Sequence, residues 1–61
     1  MNAAEALHEL DDLVLQLKGL VLVRGVRTER GADAEELAMY HEEIDRVRGR
    51  LARLAKEAQA A

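Results

Sequence analysis

Apolar side chains recur at alternating intervals of three and four residues in two separate stretches, and that spacing admits one kind of local structure. Leu7, Leu10, Val14, Leu17 and Val21 form the first series, and Leu37, Tyr40, Ile44, Val47, Leu51, Leu54 and Ala58 form the second. A helix turns about 100° per residue, so each series collapses onto one stripe, whereas a strand would scatter it over two faces. The chain has no proline, and Tyr40 is its one aromatic residue. An abundance of Ala, Leu, Glu and Arg favours helix, and the scarcity of aromatic residues argues against a sandwich or barrel. The fold class expected is all-α.

Local signals place the ends of the two helices. Asn2 followed by Glu5 reads as a capping box, as does Asp33 followed by Glu36. Gly25 and Gly31 bracket a stretch without apolar period, and glycine there can take a positive φ. The spacing thus predicts a single domain with helix one over about 3–24, a turn over about 25–32 and helix two over about 34–57. A small β-hairpin around the turn is the alternative, because Val21, Leu22, Val23 and Val26 are strand-friendly.

Charge sets the direction of the second helix. Glu5, Glu9, Asp11 and Asp12 open helix one, while Arg46, Arg48, Arg50, Arg53 and Lys56 close helix two. Lys18 and Arg24 lie late in helix one, and Asp33, Glu35, Glu36, Glu42 and Glu43 lie early in helix two. Folding back at the turn sets unlike blocks side by side, and each helix also matches its own dipole. An antiparallel, coiled-coil-like hairpin is expected. Its seam is read as Leu7, Leu10, Val14 and Val21 against Leu37, Tyr40, Ile44, Val47, Leu51 and Leu54.

A hairpin of 61 residues is marginal by itself, since a chain of this size hides only about 60% of its unfolded surface. Without cysteine there is no disulfide or thiolate metal site to supplement it, which points to self-association. Helix one carries more apolar surface than one partner helix covers. Leu13, Leu15, Leu17, Leu20 and Leu22 are the candidate interface, and a homodimer forming a four-helix bundle, or a higher homo-oligomer, is the expected assembly. A heterologous protein is the other partner to consider.

Catalytic and ligand chemistry finds little to use. No serine is present, and Thr28 has no histidine near it in sequence. Glu5 and His8 have the E-x-x-H spacing of di-iron bundles, with His41 as a further weak metal candidate. However, His8 belongs to the end with the termini and His41 to the turn end, so one hairpin cannot join them. No cofactor is expected. Arg24, Arg27 and Arg30 form a candidate contact for an anionic partner, but a net charge of −3 and the lack of interleaved aromatics argue against nucleic acid. The run Leu13–Val23 is interrupted by Gln16 and Lys18, too short for the roughly 20 apolar residues of a membrane span. An acidic start does not look like a secretory signal, so a cytoplasmic protein is expected.

The function expected from these readings is protein–protein interaction by a small homo-oligomer, an adaptor or inhibitor without catalysis. Over less than half the chain, the stretch Glu36-Leu37, Tyr40, Glu43-Ile44 and Leu51-Ala52 faintly resembles the second helix of small phage connector proteins. That likeness implies the alternative of a structural component in a phage or phage-like particle. A metal-binding helical bundle is the second alternative.

Overall fold

Asn2 opens the first helix by accepting a hydrogen bond at its Oδ1 from the Glu5 amide, at 2.8 Å. That bond satisfies one of the amides a helix start leaves without a partner. The structure of the chain, a computed structural model, describes residues 2–60. Helix α1 spans Ala3–Glu29 and helix α2 spans Ala34–Ala60, each 27 residues long. They pack against each other along their length as an antiparallel hairpin with extents of 44 × 15 × 12 Å. The described residues are helical except for Asn2 and the four-residue link from Arg30 to Asp33.

The turn is tighter than the sequence suggests, because α1 continues through Gly25 to Glu29. A glycine inside a helix costs about 1 kcal/mol against alanine, which is too little to break a helix that has a better stop six residues on. That stop is Gly31, the one described residue with positive φ, at 85°. The Ala32 amide donates to the Arg27 carbonyl at 2.9 Å, and the Gly31 amide donates to the Thr28 carbonyl at 3.1 Å. Those two bonds make a Schellman motif, which needs a left-handed residue where glycine stands. Two residues later, Asp33 Oδ1 accepts from the Glu36 amide at 2.8 Å and starts α2. Residues 21–29 are helical, so the strand-friendly valines build no hairpin of their own.

The seam of α2 follows the expected series. Ile44, Val47 and Leu54 are buried there, and Leu37, Tyr40, Leu51 and Ala58 are half-buried. The seam of α1 lies one position earlier than the sequence reading placed it. Ala6 and Leu13 are buried, and Leu10, Leu17 and Leu20 pack beside them against Val47 and Leu54. Leu7, Val14 and Val21, read as seam residues, are exposed instead. Leu13, Leu17 and Leu20, read as an outward interface, belong to the hairpin core. The physical reason is that α1 has two apolar series offset by one residue, 6-10-13-17-20 and 7-10-14-17-21, which share Leu10 and Leu17. The first brings its large leucines onto the narrow stripe of α2, with only the small Ala6 near the open end.

Polar side chains stay out of the core: no described polar or charged residue is buried. The closed geometry is held at both ends by ion pairs between the helices. Arg27 spans the turn to Glu36, donating from Nε at 2.6 Å and from Nη2 at 3.2 Å. Near the termini, Arg50 donates to Glu9. Both pairs have the sense expected of opposed charge blocks.

Candidate surface for protein contact

Closing the hairpin leaves one helix face without a partner. Leu15 and Leu22 each keep 68% of their surface exposed and Leu7 keeps 58%. Val14, Val21 and Val26 add to this exposed apolar surface of α1, while Val23 is exposed toward the opposite flank of the helix. On α2, by contrast, Met39 is the one large apolar residue left exposed among the described residues. The asymmetry follows from composition, since α2 alternates its seam with charged residues while α1 fills the run Leu20–Val23 with four consecutive apolar side chains.

Backbone geometry groups these residues. Leu7, Val14 and Val21 stand seven residues apart, which keeps them on one line of a helix. Leu15 and Leu22 form a parallel line one residue later. Between the two lines, on the middle of the face, stand Asp11, Lys18 and Gly25, again seven apart. Asp11 and Lys18 are exposed, and neither takes part in a salt bridge of the described hairpin. Of the five interface leucines expected from sequence, Leu15 and Leu22 lie on this face. Sequence reasoning missed Leu7, Val14 and Val21 as part of it, although their heptad spacing was visible.

Of the three arginines at the turn, one is already paired within the chain. Arg27 is engaged by Glu36, and Arg24 is half-buried beside Thr28 and Leu37. Only Arg30 of the three is exposed and outside any described salt bridge. The hydrogen bonds that Arg27 donates hold the Glu36 carboxyl below the usual carboxylate range, against a smaller opposing effect of lost hydration. The same pairing pushes the Arg27 guanidinium up, with a further contribution from Tyr40. Arg46 acts likewise on Glu43, one turn away on α2, and lowers its carboxyl. These arginines are therefore spoken for by carboxylates of their own chain.

Metal-ligating side chains are dispersed. Among the described residues no three of His, Asp and Glu come together in a group able to hold a metal ion. Glu5 and His8 are both exposed near the open end, and His41 lies 3.5 Å from Asp45 on the surface of α2. Among the described residues, no helix is long and apolar enough to cross a membrane. Set against family profiles, curated proteins and solved structures, the chain has no significant match.

Proposed function

We propose that this chain is a small homo-oligomeric helical hairpin that acts by protein–protein contact, as an adaptor or an inhibitor of a partner, and performs no catalysis. The observation that supports the reading is the apolar face of α1, which α2 leaves in solvent. Contiguous apolar patches on small proteins mark contact sites far more often than scattered leucines do. Burying the exposed two thirds of Leu15 and Leu22 contributes roughly 1–2 kcal/mol for each side chain. For a hairpin with so small a core, a contribution of that size bears directly on whether the fold persists. Packing two hairpins with the α1 helices innermost makes a four-helix bundle, the simplest closed arrangement that covers the face on both copies. The absence of cysteine fits a reducing compartment, and we place the protein in the cytoplasm.

Sedimentation and light scattering over a range of concentrations test the reading. The expected particle is a small discrete multiple of the 6.8 kDa chain, and its melting temperature rises with concentration. The substitution Leu22→Glu is expected to shift that equilibrium toward single hairpins. A monomer at every concentration, with melting independent of concentration, refutes homo-oligomerisation. Rings or extended sheets under the electron microscope point instead to a structural component of a larger assembly.

A further inference from the structure

The exposed face of α1 carries its own instructions for orientation. Its middle line holds one acid and one base, Asp11 and Lys18, spaced seven residues apart with Val14 and Leu15 between them. The separation is two helical turns, or about 10.5 Å along the axis. Neither charge takes part in a described salt bridge of the hairpin, although Arg27 with Glu36 and Glu9 with Arg50 pair across the two helices. The face is therefore nearly antisymmetric in charge about its centre, apolar at the middle with unlike charges on either side.

From this pattern we infer that a second copy of the chain covers the face, with α1 packed antiparallel on the partner's α1 about a two-fold axis near Val14 and Leu15. The inference rests on the homo-oligomer reading above and adds the occupant's identity, direction and register. In this arrangement each Asp11 comes within about one helical turn of the partner copy's Lys18, and the symmetry repeats the pair. A parallel arrangement would instead set Asp11 beside Asp11 and Lys18 beside Lys18, two like-charge contacts on the mid-line of an apolar seam. The helix α2 is a poor alternative occupant, because its exposed surface offers Met39 and otherwise charged, polar or small side chains. Leu7 and Leu22 stand about equally far from the centre, so the apolar surface extends to similar reach on both sides of the axis.

Two sets of variants test the proposal, each checked for helical content by circular dichroism. Asp11→Lys turns both cross-axis pairs repulsive and is expected to weaken the dimer about ten-fold, as two surface ion pairs lost and reversed would do. Adding Lys18→Asp in the same chain restores the complementarity and should recover most of that loss. In a parallel dimer the double exchange leaves like charges facing like and rescues nothing, and that outcome overturns the orientation. Single-cysteine chains give the second arm, since the native chain has none. Under mild oxidation Leu15→Cys, beside the axis, is expected to form a disulfide-linked dimer. Val21→Cys, about 15 Å or more from its own copy by the helical rise, lies beyond the roughly 7 Å limit between disulfide Cα atoms. Efficient linkage through Val21→Cys and none through Leu15→Cys refutes the antiparallel register. A native chain that is monomeric at every concentration overturns the homo-oligomer reading itself, whereas a native dimer that fails either variant test overturns only the arrangement inferred here.

Discussion

Replacing Leu13 and Leu15 separately by alanine compares one chemical change at two positions on opposite sides of α1. Leu13 retains 9% of its exposure and Leu15 retains 68%. Fully burying a leucine contributes about 1.5–3 kcal/mol, so Leu13 contributes nearly all of that and Leu15 about a third. Removing Leu13 also leaves a void beside Val47 and Leu54, and typical buried Leu→Ala changes cost about 2–5 kcal/mol. A two-helix core can relax toward the gap from its open sides, so Leu13→Ala is expected near the lower end, about 2–3 kcal/mol. Leu15→Ala should cost at most about 1 kcal/mol in the lone hairpin, part of which the better helix propensity of alanine returns. In melting temperature the difference is about 5–20 °C for a chain of this size. Urea titrations followed by far-ultraviolet circular dichroism, at the lowest workable concentration, give both numbers. Should Leu13→Ala prove unfolded, Leu13→Val repeats the comparison more gently. Equal costs at the two sites, in a concentration range where the particle is monomeric, would refute the placement of Leu13 inside and Leu15 outside.

Two further outcomes follow from the turn. Gly31→Ala forces a Cβ into a left-handed backbone at 85° and is expected to cost about 1–2 kcal/mol, with Gly31→Asn milder; an unchanged urea midpoint for Gly31→Ala would contradict the Schellman stop. Because Arg27 holds the Glu36 carboxyl below its ordinary range, the stabilisation this pair supplies is complete above the unfolded value of about 4.3. It is lost as pH falls through the lower folded value. Glu36→Gln should therefore lose less stability on acidification than the parent chain, read as melting temperature against pH, and an identical acid profile would remove the pair from the account.

Much of the fold was legible because α2 presents a single narrow stripe flanked by charge. A three-four series with no rival admits one register, and the seam from Leu37 to Ala58 follows from it. The same reasoning failed by one position on α1, where two series share Leu10 and Leu17 and differ only in Ala6, Leu13 and Leu20 against Leu7, Val14 and Val21. Hydrophobicity cannot rank them, since both are apolar. The choice is made by what the partner helix can accommodate, which is a property of the pair. Gly25 misled in another way. Glycine ends a helix only where the backbone needs a left-handed residue, and that demand arises at Gly31, where the carbonyls of Arg27 and Thr28 are capped. The role of Arg27 was hidden because Glu36 stands nine residues away and becomes its neighbour only after the turn closes. The opposed charge blocks, by contrast, carried the direction of the hairpin without any knowledge of side-chain placement, and the Glu9–Arg50 pair follows that pattern.

The bridge from Arg27 to Glu36 sits where the loop between the helices is shortest, and that position shapes how the chain finds its structure. Closing nine residues sacrifices little chain entropy, whereas bringing Glu9 to Arg50 across 41 residues in one step sacrifices more. Assembly from the turn outward is therefore the expected route, each new seam contact lengthening an already closed loop by a few residues. Amide protection against exchange is expected to be strongest along the seam around Leu13, Val47 and Leu54 and weakest where both helices run out beside the chain ends. Contacts that are local at the outset also favour fast folding, so the core leucines Leu13 and Leu20 spend little time uncovered, while Leu15 and Leu22 stay in solvent after the hairpin has closed.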